Sequence, residues 1–239
     1  MGAIPLGAYA APAVSNPYGL SVTQVNKNYK DVNVTFQDLS GLKKVSDKVK
    51  VDLTMTYDGN VTQRATVTKS PASTISIKAP AFGTFDTKVT FYKSGRTVKT
   101  VTKTVNIIAD EYNIAPIVAT FPVVYFSLNL NKITEKADGT PVPTIVSLQR
   151  PDAYNWDKLP ENVYWQPNLT KLQVQTQTNF DTKTNKMADY VKTLVQANPN
   201  AKFNLYINDA YSKYILRLLV ANGVPESNFH VFLLSDGSG

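Results

Sequence analysis

The hydrophobic pattern changes its period near residue 110, and this change constrains the fold more than any other feature of the sequence. From Leu20 to Ile108 apolar residues alternate with polar ones, as in the run KVKVDLTMTY at residues 48–57. Alternation with a period of two turns one face of a strand inward and the other towards solvent. The first part of the chain is therefore predicted to be all β.

Turn signals divide this part into about seven short strands. Asp58-Gly59-Asn60 and Ser94-Gly95-Arg96 are typical of tight hairpins, and Pro71, Pro80 and Gly83 mark longer connections. That number of strands in a segment of this length is typical of an antiparallel sandwich of the immunoglobulin or fibronectin type. We predict an Ig-like β-sandwich over residues 20–110.

After residue 110 the apolar runs become continuous and helical periods appear. Continuous runs are expected of strands that are buried on both faces, and spacings of three and four residues predict helices. This order of elements predicts an incomplete Rossmann-like α/β domain over residues 117–239, joined to the sandwich by a short connection at residues 110–116. The predicted strands are Val123–Leu128, Thr144–Leu148, Asn162–Trp165, Phe203–Ile207 and Phe229–Leu234, and the predicted helices are 187–195 and 211–219.

Composition excludes several classes of site. The chain has no cysteine and one histidine, His230, so disulfides, thiolate catalysis, zinc–thiolate sites and multi-histidine metal sites are not expected. The longest apolar stretch, Ile114–Leu130, is interrupted by Pro116 and Pro122. No membrane-spanning helix is expected.

The net charge of +7 comes from an excess of lysine and arginine in the first 110 residues. These cations are spread over alternating strands, as on the solvated faces of sheets, and are not clustered with aromatic residues as in a nucleic-acid site. We expect no nucleic-acid partner. Attraction of the basic sandwich to an anionic cell surface is the alternative.

The first residues suggest export. Ala8-Tyr9-Ala10 followed by Ala11-Pro12 is similar to a signal-peptidase site, although no charged and long apolar regions precede it. Residues 1–19 are interpreted as an export remnant or as a disordered tail. The expected location is exported from, or on the surface of, a bacterium.

Two loops are placed where α/β sheets bind ligands, beyond the carboxyl ends of strands. One begins at Asn208, after the strand at 203–207, and the other is Ser235–Gly239, at the end of the chain. Asn208 also suits a helix N-cap, and an Asp-Gly pair such as Asp236-Gly237 also suits an ordinary turn. Spacing alone leaves these alternatives open.

From about Pro122 to its end, the chain resembles bacterial sialyltransferases of the marine and Pasteurella type. The run FLLSDGS at residues 232–238 is similar to a strand-end motif of two acids, glycine and serine, with Asp236 at the second acid and Ser235 in place of the first. A second run, LYINDAYS, is similar to another stretch of the family, with Tyr211 where the family has histidine.

This resemblance implies a catalytic fold of two Rossmann-like domains that face a cleft, preceded in some members by an Ig-like domain. It implies inverting transfer of a sugar from a nucleotide donor such as CMP-sialic acid to a glycan hydroxyl, without a metal or another cofactor. Asp236 would be the general base. The implied substrate-binding residues are Asn208, Tyr211, Gly237 and Ser238; Tyr211 also suits a core position of a helix.

The family's second domain, with its His-Pro motif and much of the donor site, has no counterpart in this sequence. The chain is therefore expected to be an N-terminal portion that is inactive alone. The principal alternative is a secreted surface or adhesion protein, with an Ig-like domain that binds glycans or acts as a spacer and an α/β module without catalysis. A third possibility is a transferase of the same architecture that uses a different nucleotide.

Overall fold

The computed structural model describes residues 16–57, 60–117, 133–148, 163–164, 190–207, 220 and 225–233. These residues are mostly β-strand, with a short helix α1 at Leu39–Val45 and a second helical segment, α2, at 190–197. The strands are β1 Ser21–Gln24, β2 Asp31–Thr35, β3 Lys48–Tyr57, β4 Asn60–Lys69, β5 Thr74–Lys78, β6 Gly83–Lys93, β7 Arg96–Ile107, β8 Glu111–Ile117, β9 Thr144–Leu148, β10 Val163–Tyr164, β11 Lys202–Ile207 and β12 Phe229–Leu233.

The first seven strands form the predicted antiparallel sandwich. One sheet has the order β1-β2-β5 and the other the order β4-β3-β6-β7. Alternate residues of both sheets are buried between them, and Phe36 of one layer packs edge-to-face on Phe91 of the other at 6.0 Å. At the hairpin between β6 and β7, Ser94 and Gly95 both have positive φ, as the sequence signal predicts. The prediction of an all-β sandwich is confirmed.

The remaining strands form one parallel sheet in the order β10-β9-β8-β11-β12. Four of the five predicted strands of this part are present within one or two residues at each end. Two predicted elements lie outside the described residues, the fifth strand, Val123–Leu128, and the helix 211–219. The other predicted helix, 187–195, overlaps α2. Among the described residues, no helix has both the length and the apolar character that are needed to cross a bilayer.

One expectation is wrong. Residues 110–116 are predicted to be a connection, but residues 111–116 belong to β8, the central strand of the parallel sheet. The strand is hard to predict because central parallel strands usually contain neither polar residues nor proline, whereas this one has Glu111, Asn113 and Pro116. Its large apolar residues Tyr112 and Ile114 alternate with Glu111 and Asn113, so the polar side chains at the start of the strand all lie on one face.

The sandwich and the parallel sheet share a continuous core. The rings of Phe82 and Tyr112 pack edge-to-face at 6.1 Å, and Tyr112 stacks on Phe203 at 5.2 Å. Helix α2 contributes Tyr190 and Leu194 to the same cluster, which also includes residues of β3 and β6. The apolar face of the parallel sheet is therefore packed towards the sandwich and α2, which leaves its polar face on the other side.

Candidate functional site

The two strands that lead into the predicted loops are neighbours. Strands β11 and β12 pair in parallel from Phe203–Phe229 to Ile207–Leu233 and so end side by side. Asn208 follows directly after β11, and Asp236 comes three residues after β12. The predicted site residues themselves, Asn208, Tyr211, Asp236, Gly237 and Ser238, lie outside the described residues.

An aromatic pair lies one residue before these strand ends. Tyr206 and Phe232 are register partners, and their rings stack at 5.0 Å with an interplanar angle of 15°. The side chain of Phe232 is 45% exposed, whereas Tyr206 is partly buried. An exposed aromatic ring such as Phe232 at the carboxyl edge of a sheet can pack against the apolar part of a ligand.

Below the aromatic pair, the same face of the sheet carries a buried amide network. Asn204 lies two residues before Tyr206 and therefore on the same face of β11. Its amide nitrogen donates to Asn113 Oδ1 at 2.8 Å and to the carboxylate of Glu111, and the amide of Asn113 donates to the carbonyl of Ile133. Only 2% of Asn113 and 7% of Asn204 is exposed. Because their polar atoms are satisfied, these amides fix the register of β8 and β11.

Among the described residues, Glu111 on this face forms an ion pair. Lys136 Nζ lies 3.1 Å from Glu111 Oε2. Burial raises the pKa of Tyr206, and the negative charge of Glu111 raises it further. The Tyr206 hydroxyl therefore keeps its proton at neutral pH and can serve as a hydrogen-bond donor.

His230 is exposed on β12 as the register partner of Asn204. No carboxylate of the described residues forms an ion pair with it. In the described part of the chain, no three His, Asp or Glu side chains are grouped closely enough to hold a metal ion.

Sequence reasoning missed the aromatic pair and the amide network. The signal for the network was a polar residue within each of two apolar runs, Asn113 in EYNIAPI and Asn204 in KFNLYI. The signal for the aromatic pair was weaker, because a tyrosine and a phenylalanine at the ends of two strands meet only if the strands are adjacent and in register. Neither adjacency nor register can be derived from one sequence.

No protein-family model and no curated protein matches the chain. Solved structures similar to it include carbohydrate-active enzymes. A sialyltransferase from Photobacterium damsela has a TM-score of 0.32 at 14% identity, over 80% of this chain and 38% of that one. A Photobacterium 2,6-sialyltransferase, solved with CMP and lactose, has a TM-score of 0.29 at 11% identity, over 78% of this chain and 36% of that one.

The similar structures are not restricted to transferases. A cell-surface-expressed multi-modular chitinase from Paenibacillus has a TM-score of 0.26 at 17% identity, over 85% of this chain and 18% of that one. This chain spans less than half the length of each of these three proteins. TM-scores in this range assign neither a fold family nor an activity to the chain.

Proposed function

We propose that this chain is the N-terminal portion of an inverting, sialyltransferase-like glycosyltransferase, in which the parallel sheet belongs to the first of two Rossmann-like domains. The observation that carries the proposal is the parallel pairing of β11 and β12 up to Ile207 and Leu233. Both sequence runs that resemble the family leave the sheet from these adjacent strand ends. Residues far apart in sequence thus begin their loops at one edge, as a shared site requires.

The strand order supports the Rossmann-like part of the proposal. Numbered in chain order from β8 to β12, the described strands of the sheet have the order 3-2-1-4-5 and pair in parallel. This is the order of the doubly wound dinucleotide-binding fold, which binds ligands beyond the carboxyl ends of its strands. The aromatic pair Tyr206 and Phe232 lies at that edge.

In the proposed reaction, Asp236 accepts the proton of an acceptor hydroxyl as its oxygen attacks the anomeric carbon of the donor. The new glycosidic bond forms as the bond from that carbon to the phosphate oxygen of CMP breaks, and CMP leaves with the electron pair. A single displacement of this kind inverts the anomeric centre. Asn208, Tyr211 and Ser238 would hydrogen-bond substrate, and Gly237 would allow the backbone to pass close to the sugar.

The test is the release of CMP from CMP-sialic acid by the full-length parent protein, with and without lactose. The expected result is release that depends on the acceptor and falls by about 100-fold or more in Asp236→Asn, because the general base is lost. Glu226→Gln is the matched control, since Glu226 is an exposed carboxylate in a turn before β12, and its activity should be unchanged.

Unchanged turnover in Asp236→Asn would remove Asp236 from the proposed role. No turnover with any nucleotide sugar, together with binding of the intact protein to glycans, would instead favour the surface or adhesion protein.

A further inference from the structure

A cleft of about 180 Å³ lies between the sandwich and helix α2. Its described lining comes from two strands of the sandwich and from the helix, and none of it belongs to the parallel sheet. The lining residues are Thr54, Met55, Thr56, Gly83, Thr84, Asp86, Tyr190 and Thr193. The cleft is thus separate from the aromatic pair and from the strand ends described above.

The cleft opens where two strands part. The pairing of β3 with β6 ends at Thr54 and Asp86, although both strands continue for three more residues. At this point β3 also shifts its register against β4, between Met55 and Thr56. A register shift of this kind bends a strand and changes the direction of its side chains, and such shifts are frequent next to active sites.

The floor of the cleft is formed by Gly83 and Met55, and Gly83 has an unusual backbone conformation. Gly83 has a φ of +125°, and a Cβ atom added there would lie 2.7 Å from Met55 Cε. The thioether of Met55 therefore packs directly on glycine and gives the cleft an apolar floor. The wall on the helix side is fixed by Tyr190, whose hydroxyl donates to the carbonyl oxygen of Phe82 at 2.8 Å.

The rim of the cleft is rich in hydroxyl groups and carries one carboxylate. Four of the described lining residues are threonines, Thr54, Thr56, Thr84 and Thr193. The hydroxyls of Thr54 and Thr84 donate to the carbonyl oxygen of Asp86 at 3.4 Å and to Asn106 Oδ1 at 2.9 Å, so each keeps its lone pairs as acceptors for a ligand. The carboxylate of Asp86 accepts a hydrogen bond of 3.3 Å from Thr104, and no cation of the described residues lies within ion-pair distance of it. No lysine or arginine is among the described lining residues.

We propose that this cleft binds one ring of a neutral sugar. Its volume is below the roughly 300–1,000 Å³ of sites for drug-sized ligands and suits a single hexose. The hydroxyls of Thr54 and Thr84 can accept from sugar hydroxyls, and a carboxylate accepts from two adjacent hydroxyls at once, so the rim matches a vicinal diol. The apolar floor faces the C–H side of the ring.

The same chemistry argues against two other ligand classes. An anionic ligand, including a sialic acid or a phosphate, would approach Asp86 without a cation in the described lining to offset the repulsion. A divalent cation would need six or more oxygen ligands, with more than one carboxylate in typical sites. The proposal does not depend on the transferase activity, because the cleft is remote from Asp236 in the chain and uses none of the loop residues.

The experiment is an NMR titration of the chain as it stands with glucose, galactose and mannose. At least one of them should shift the amide signals of the cleft residues saturably in the millimolar range. Thr193→Phe, which fills the cleft from the exposed side of α2, should weaken binding by about tenfold or more. Asp86→Asn should weaken it too, because an amide accepts fewer hydrogen bonds from a diol.

Thr102→Phe is the matched control, because Thr102 is exposed on β7 outside the cleft, and it should bind as the unmodified chain does. The proposal is overturned if no neutral hexose shifts these signals saturably, or if binding survives in both Thr193→Phe and Asp86→Asn. Preferential binding of sialic acid or of phosphate would overturn it as well.

Discussion

The hydroxyl of Tyr190 donates a hydrogen bond of 2.8 Å to the carbonyl oxygen of Phe82, across the boundary between helix α2 and the sandwich. Both residues are buried, at 3% and 2% exposure. The two residues are 108 positions apart, so this bond ties the second part of the chain to the first. Together with the shared apolar core, it makes the sandwich a structural support for the parallel sheet and α2.

Tyr190→Phe should therefore lower the free energy of unfolding by about 1–3 kcal/mol, since the buried carbonyl oxygen of Phe82 loses this donor. Urea denaturation checks this value. Tyr29→Phe is the control, because Tyr29 is 46% exposed, and its stability should match that of the unmodified chain. An equal loss in both variants would show that the hydrogen bond contributes nothing specific.

Thr87→Val should stabilise the sandwich. Thr87 is fully buried on the inner face of β6, and its hydroxyl has no hydrogen-bond partner among the described residues. Valine has the same shape without the unsatisfied hydroxyl, so the expected gain is about 1 kcal/mol. Thermal and urea unfolding measure it, with the exposed Thr102→Val as control. A loss of stability would mean that the Thr87 hydroxyl has a bound partner, such as a water molecule.

Gly83→Ala should destabilise the chain by about 1–3 kcal/mol, mainly through the backbone. The φ of +125° is costly for any residue with a Cβ atom, whereas the contact with Met55 Cε can be relieved by rotation of that flexible side chain. Gly95→Ala is the comparison, because its φ of +77° is closer to the left-handed helical region that other residues adopt, and nothing lies within 4 Å of the added atom. The Gly95 variant should lose less stability in urea denaturation, and a larger loss there would contradict the argument.

These particular residues show where sequence reasoning succeeds and where it stops. The seven strands of the sandwich could be predicted because each has one face in solvent, so that alternation marks it. Strand β8 could not, because Glu111 and Asn113 are satisfied by Lys136, by Asn204 and by the backbone of Ile133, which are partners from distant parts of the chain. The meeting of Tyr206 with Phe232 likewise depends on register. Asp236 and its neighbours remain a prediction.

Asn204→Asp should make stability depend on pH in a defined direction. The new carboxylate would face that of Glu111, which now accepts a hydrogen bond from the Asn204 amide. Two facing carboxylates raise the apparent pKa of the pair, even with Lys136 beside Glu111. A raised folded-state pKa means that the variant is most stable at low pH, where the pair holds a proton, and loses stability as pH rises through that pKa.

Urea denaturation between about pH 3 and pH 7 tests this, since unperturbed carboxyl groups titrate near pH 4. The loss relative to the unmodified chain should grow with pH. Asn106→Asp is the control, because Asn106 is exposed and accepts a hydrogen bond only from Thr84 among the described residues. A constant difference across the range would show that the new carboxylate does not interact with Glu111.

At the junction between β7 and β8, an ion pair should make stability depend on pH in the opposite direction: here stability should fall as pH falls. The ammonium of Lys27 pairs with Asp110 and lowers the pKa of that carboxyl group, and a hydrogen bond from Asn28 lowers it further. Because the pKa of Asp110 is lower in the folded state, its carboxylate stabilises the fold above the unfolded-state pKa of about 3.9. This stabilisation is lost as pH falls through the folded-state pKa. The pair is about half exposed, so the effect should be no larger than about 1 kcal/mol.

Asp110→Asn should remove this part of the acid dependence, and 1 M salt should reduce it in the unmodified chain through screening. An acid dependence that is identical in the two proteins at low salt would contradict the ion pair as its source.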